Sequence, residues 1–451
     1  MEQLKKINLC LVLIIPVFAS IYYALQMPVS YDEAWTFLNF TRKGFVITMT
    51  SYDDPNNHVF HSLITNLTKF IPNCTNLIKI RISSIFFNFL FLLLFYKFTK
   101  ETFGTNFALI AVGLTSVLFM NIYYSYMSRG YGIVNLCFII SLFSVFNIIK
   151  NTNAKKKWLL FCVSSIIGFA TIPAYLYPFA TLNFIVLIAH FKNIKNQFLA
   201  NFVVIIFVIL FYLPIIMQNG LSALTNNIYV QPIGFFKTIK SLPRYYFQVL
   251  TEITGIHFVI IVFLLSISCF KIYKSENKNH IYFGVIMIFA PIILMGIHRV
   301  IPFVRVFNYY GIIIVLLMIL PFQKIIIKLK SAYILMLIIV FQCIMLFNFD
   351  NKINAHEEKD LAINITSHKI IEQIIGNKKY LFNQSLLATN LEFELDSQGF
   401  NNYKIIEINA TKMNADAIKN YDFVIIKLEN DKTKILKPLV KTNYYNVYKI
   451  K

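Results

Sequence analysis

Long apolar runs separated by short polar connectors dominate the chain as far as Phe349, at about 7–27, 80–99, 104–123, 131–149, 158–174, 176–191, 198–217, 256–273, 281–297, 304–321 and 331–349. Each is long enough to cross roughly 30 Å of hydrocarbon as a helix, so the pattern predicts about eleven transmembrane helices. Within 158–191 only Pro173 and Pro178 punctuate the run. Two connectors are long enough to fold over a scaffold. Residues 28–79 hold an amphipathic stretch near His58 to Phe70 suited to the interface plane. Residues 218–255 hold Pro232, Gly234, Pro243 and the pair Tyr245-Tyr246 beside Arg244, a composition suited to a lid at headgroup level.

From Asp350 the pattern changes. Apolar strings beginning at Tyr380, Tyr403, Tyr421 and Tyr444 alternate with helical stretches of mixed charge. They predict a small α/β domain. The expected architecture is an all-α polytopic membrane protein over 1–349 with outer loops 28–79 and 218–255, followed by a soluble extracytoplasmic α/β domain over 350–451.

Composition agrees with the pattern. Hydrophobic residues make up 57% of the 451 positions, and mean hydropathy is +0.62. That excludes an ordinary soluble domain. The net charge of +21 would suit a nucleic-acid partner, but the lysines sit in every second short connector, as at Lys5-Lys6, Lys97 with Lys100, Lys155-Lys156-Lys157, Lys192 with Lys195, and Lys324 to Lys330. They read as topology determinants, placing the N-terminus in the cytoplasm and the remaining loops and C-terminal tail outside. Five of the six cysteines fall inside apolar runs, so no disulfide framework is suggested. No small-x-small cleavage site follows the first run, which reads as an anchor rather than a leader.

Acid is scarce before Asp350: 13 of the 21 Asp and Glu lie from that residue onward. Half of the remainder, Asp32, Glu33, Asp53 and Asp54, fall in the first outer loop. A carboxylate beside the bilayer needs a reason, and two readings stay open for Asp32-Glu33: a solvated helix cap or a site. Asn57, His58 and His61 add polarity to the same loop, and the two histidines at i, i+3 suit a divalent cation shared with the carboxylates. Arg129, in the third outer connector just before Tyr131, either pairs with Asp32 or Glu33 or clamps a phosphate. His298, Arg299, Arg305 and Arg244 complete a basic rim. A carboxylate base beside headgroup-level cations fits sugar transfer from a lipid phosphate. The chain has no Gly-rich phosphate loop for a nucleotide.

Asp32-Glu33 after the first run, Asn56-Asn57-His58 before an interfacial helix, and Arg129-Gly130-Tyr131 after the third run resemble the GT-C membrane glycosyltransferases, in particular the protein O-mannosyltransferase and aminoarabinose-transferase group. The resemblance covers about residues 1–320. It implies that Asp32 is the catalytic base and Glu33 its neighbouring acid, that Arg129 steadies the site, and that the late arginines contact the lipid phosphate. It also implies an inverting transfer from a polyprenyl-phosphate sugar to a glycan, lipid or protein hydroxyl on the extracytoplasmic face, and the Asn- and Lys-rich, Trp-poor composition points to a bacterial inner membrane. No cofactor is required; a divalent metal is left open. The alternative function is a transporter, a lipid-linked glycan flippase or a polymerase.

Overall fold

The computed structural model describes residues 2–52, 56–150, 155–189, 194–225, 230–274, 279–356, 378–382, 385–400, 403–407, 421–427, 437–441 and 445–450, with isolated positions between 361 and 371. Asp53 and Asp54 lie outside the described residues.

The N-terminal part is helical: α1 (Glu2–Gln26), α2 (Tyr31–Thr36) continuing into a π turn (Phe37–Thr41), α3 (Phe45–Thr50), α4 (Val59–Thr68), α5 (Asn76–Phe103), α6 (Thr105–Thr115), α7 (Phe119–Tyr126) and α8 (Tyr131–Lys150). Then follow α9 (Lys155–Thr171), α10 (Leu176–Ala189), α11 (Ile194–Asn219), α12 (Ser222–Thr225), α13 (Phe235–Thr254), α14 (Phe258–Tyr273), α15 (Asn279–His298), α16 (Tyr310–Ile319), α17 (Gln323–Lys328) and α18 (Ser331–His356).

Over their described residues the eleven apolar runs are mostly helical, and the chain is an integral multi-pass membrane protein. Among the described residues, six helices are individually long and apolar enough to cross a bilayer, or up to eight if two bent pairs, α6–α7 (72°) and α13–α14 (94°), each count as one crossing. The 158–191 run does divide. Ile172 is extended (φ −144°, ψ 124°), as steric conflict with the ring of the following Pro173 favours.

The bend before α14 has a local cause. Gly255 caps α13 at φ 73°, a conformation that costs glycine little because it has no Cβ. Across 218–255 the expected lid is largely this helix, and α13 has three stripes. Thr238, Leu242, Tyr245 and Val249 are buried against the protein. Phe236, Ile239 and Phe247 are exposed on a second stripe, and Lys237, Lys240 and Arg244 on a third. At 100° per residue these are neighbouring sectors, the arrangement of a helix lying where protein, lipid and water meet.

The C-terminal part contains strands β1 (Lys378–Phe382), β2 (Tyr403–Glu407), β3 (Phe423–Lys427), β4 (Val440–Lys441) and β5 (Tyr445–Lys449) and helix α19 (Ser385–Ser397). The sheet order is β2-β1-β3-β5-β4, with β1 parallel to both its neighbours and β5 antiparallel to both of its own. This is the expected small α/β unit. Its helix α19 packs on the membrane part through the buried Phe393, which joins Val29, Ala34, Phe37, Leu38 and Ile80.

Candidate active site

Glu33 and Asp32 begin the same helix but serve different surroundings. Ser30 caps α2: its Oγ accepts from the Glu33 amide, and the Glu33 side chain accepts from the Ser30 amide. This reciprocal capping box satisfies two helix-end donors. From there Glu33 turns inward and is fully buried, with Oε1 and Oε2 accepting from Arg81 Nε at 2.9 Å and Nη2 at 2.7 Å. Oε1 also accepts from the Ser128 amide at 2.7 Å. Arg81, equally buried, spends its other donors on the carbonyls of Ala24, Met27 and Pro28 at the end of α1. The pair stitches the end of α1, the start of α2, α5 and the turn after α7 into one block. Both Glu33 oxygens are thus engaged by the protein itself, whereas the sequence-based expectation placed Glu33 beside Asp32 in the chemistry.

Asp32 projects to the other side of the helix and is about one-third exposed at 32%. Its Oδ2 faces Arg305 Nη1 at 3.3 Å and Arg129 Nη2 at 3.8 Å. Oδ1 has no hydrogen-bond or ion-pair partner among the described residues. Arg305 precedes α16 in the short 3-10 turn Val304–Phe307 and is itself 34% exposed. Arg129 is buried. Its Nη1 donates to the Asn56 carbonyl at 3.0 Å, to Asn56 Oδ1 and to Thr36 Oγ1 at 3.3 Å. Asn56 Nδ2 in turn donates to the Asp32 carbonyl at 3.3 Å. The Arg129 guanidinium is therefore fixed before any ligand arrives, whereas Arg305 keeps an open side.

The histidines are structural neighbours of this pair. His58 Nδ1 accepts from the Gly130 amide at 2.8 Å, which leaves Nε2 directed at Arg129 Nη2, 3.0 Å away. Burial, with the Arg129 charge adding to it, holds the His58 imidazole well below its usual range. His61 lies between the Ser83 and Ser84 hydroxyls at 3.0 and 3.1 Å. Burial first, then Arg129, pushes it down to about 3. Each ring is thus held inside the protein, His58 through Nδ1 and His61 through Nε2. Among the described residues no group of three His, Cys, Asp or Glu is placed to hold a metal; Asp53 and Asp54 lie outside those residues. Asn57 also turns inward, donating to the Thr48 and Ser51 carbonyls at 3.1 Å. The expected amphipathic helix forms as α4, but with its polar face inward: His61, Ser62, Thr65 and Asn66 are buried while Leu67 is exposed.

The expected basic rim separates into two groups. Arg305 joins Arg129 at Asp32. Arg244 lies exposed on α13, and His298 and Arg299 are exposed at the end of α15. None of these three pairs with Asp32. Arg299 holds φ 57°, and its carbonyl accepts from the Ile233 amide at 2.8 Å. Tyr131 packs against Tyr124 with ring centroids 4.2 Å apart and edge-on to His58 at 5.2 Å. A mainly apolar pocket lined by Tyr131, Ile172, Pro178 and Val306 opens next to it.

The sequence alone did not single out Arg81 or Thr36 for the site. Arg81 carried a readable signal, since an arginine within an apolar run requires a partner.

No protein-family model matches the chain, and no curated protein matches it. Solved structures do. The crystal structure of ArnT from Cupriavidus metallidurans bound to undecaprenyl phosphate superimposes with a TM-score of 0.67 at 10% identity, covering 98% of this chain and 97% of that one. The apo ArnT structure from the same organism gives 0.64 at 10% identity over the same shares. The chain therefore has the GT-C fold of ArnT along essentially its whole length.

Proposed function

We propose that the chain is a glycosyltransferase that moves a sugar from a polyprenyl-phosphate donor to an acceptor hydroxyl, with inversion at the anomeric carbon. The observation that carries this reading is the Asp32 carboxylate, part-exposed, with Oδ2 held by Arg305 and Arg129 and Oδ1 unused among the described residues. The fold it shares with an undecaprenyl-phosphate-bound structure supports the donor class.

The chemistry follows from the arrangement. Asp32 takes the acceptor proton as the hydroxyl oxygen bonds to the anomeric carbon. The bond from that carbon to the donor phosphate breaks, and its electron pair goes to the phosphate oxygen. Arg305, supported by the prefixed Arg129, meets the growing negative charge with charge-assisted hydrogen bonds. A single displacement from the face opposite the leaving group inverts the centre. The lysine distribution supports a site on the extracytoplasmic side of the membrane, with the N-terminus in the cytoplasm. The acceptor is a glycan, lipid or protein hydroxyl, and the sugar a hexose or pentose.

Asp32→Asn protein in detergent micelles should bind the donor yet lose transfer by at least about a hundredfold. Because micelles hold no gradient or second compartment, turnover by the parent protein separates a transferase from a transporter. Undiminished transfer by Asp32→Asn removes the proposed base.

A further inference from the structure

The helix that presents Asp32 is gripped at its far end by the C-terminal unit. Arg42 caps the π turn in which α2 ends. Its Nη2 donates to Glu392 Oε1 and its Nη1 to Asp396 Oδ1, both at 2.9 Å. These acids stand one turn apart on α19, so a single guanidinium engages one face of that helix. Three further contacts draw α19 onto the same spot. Phe393 is fully buried, edge-on to Phe37 with centroids 5.2 Å apart. Asn390 Nδ2 donates to the Val29 carbonyl at 3.2 Å, immediately before the α2 cap. Asn76 Nδ2, at the start of the helix that carries Arg81, donates to Asp396 Oδ2 at 3.3 Å.

Every one of these contacts lands on the Asp32 helix and its π-turn continuation, the segment leading into it or the helix bracing Glu33. The Arg81–Glu33 pair fixes the first turn of α2, and Thr36 at its last turn is held by Arg129 and the Asn56 carbonyl. The π turn that continues the helix is what α19 grips. A displacement of about 1 Å at a reacting group costs up to a hundredfold in rate. We propose that Arg42 is a positioning residue and that α19 is a clamp, so the C-terminal unit completes the active site by setting the orientation of the Asp32 helix rather than by touching substrate.

Trp35, one turn after Asp32 and half-buried against Tyr31, makes this measurable without any activity. The chain has two tryptophans; the other, Trp158, is buried beside Phe161 in α9. In the full-length Trp158→Phe protein, acrylamide quenching of Trp35 should rise by about twofold on Arg42→Ala and return toward the parent value with Arg42→Lys. The pair Glu392→Gln with Asp396→Asn, at part-exposed positions, should reproduce Arg42→Ala and guards against a variant that fails to fold. The kinetic arm rests on the transferase reading: Arg42→Ala should lower kcat about tenfold with the donor KM within about twofold. Unchanged Trp35 quenching in both the Arg42→Ala and the double acid variant overturns the clamp. Raised quenching in a protein whose parent transfers no sugar upholds the clamp and removes the transferase reading instead.

Discussion

Replacing Glu33 by Gln keeps the side chain's size and shape while removing its charge. In the native site Oε1 accepts from Arg81 Nε and the Ser128 amide, and Oε2 from Arg81 Nη2 and the Ser30 amide. A glutamine has one acceptor oxygen and one NH2, so either amide orientation sets donors against donors. The Arg81 charge is also left buried without its counter-ion. Breaking a buried pair from one side costs about 3–5 kcal/mol. With an unfolding entropy near 2.1 cal/mol/K per residue, that becomes a fall in Tm of roughly 3–5 °C. The assay is thermal loss of the monodisperse peak on size exclusion in detergent, measured beside transfer activity at a temperature where the variant is still folded. Glu33→Gln should lose heat resistance and, through the loosened Asp32 helix, some turnover, but far less than Asp32→Asn, which should lose activity without heat resistance. A Glu33→Gln protein as heat-resistant as its parent but as inactive as Asp32→Asn would refute the reasoning and return Glu33 to the chemistry.

Arg305→Ala should reduce kcat by about a hundredfold, whereas Arg244→Ala and Arg299→Ala should each stay within about threefold, because only Arg305 of these reaches Asp32; equal losses in steady-state assays would restore a single basic rim. The buried neutral His61 makes stability depend on pH: its folded value of about 3 lies below the unfolded 6.5, so its contribution is complete above pH 6.5 and declines as pH falls from there toward 3. Between pH 6.5 and 5 the decline is about 2 kcal/mol, read as a drop in Tm that His61→Asn lessens and that a flat Tm across the interval would contradict.

Much of the membrane architecture was legible because a bilayer demands it. Long apolar runs need no tertiary information to be read as helices, and even the break at Ile172 follows from the proline after it. The polar loop after α1 was legible for the same reason: carboxylates, Asn56 and His58 beside a membrane require partners. Which partner each one takes was not. Asp32 and Glu33 are adjacent in sequence, yet a helix turns about 100° per residue, so one faces a cleft and the other a salt bridge 48 positions away. Arg244, Arg299 and Arg305 look equivalent as outer-face cations, and only the three-dimensional path of the chain separates the one beside Asp32 from the others. The inward polarity of α4 was hidden because the spacing of polar and apolar residues tells that a helix has two unlike sides, but not which of them meets the protein.

The Arg81 cluster bears on how the polypeptide is made. Of the hydrogen bonds that hold Arg81 and Glu33 as described above, all but the one from the Ser128 amide join groups lying between Ala24 and Arg81 itself. A nascent chain that has delivered its first hundred residues to the insertion machinery already carries the counter-ion and the carbonyls that let a guanidinium settle beside lipid. The first hairpin is therefore a self-sufficient assembly step, and later segments are added to a seed whose awkward charge has been neutralised before they emerge.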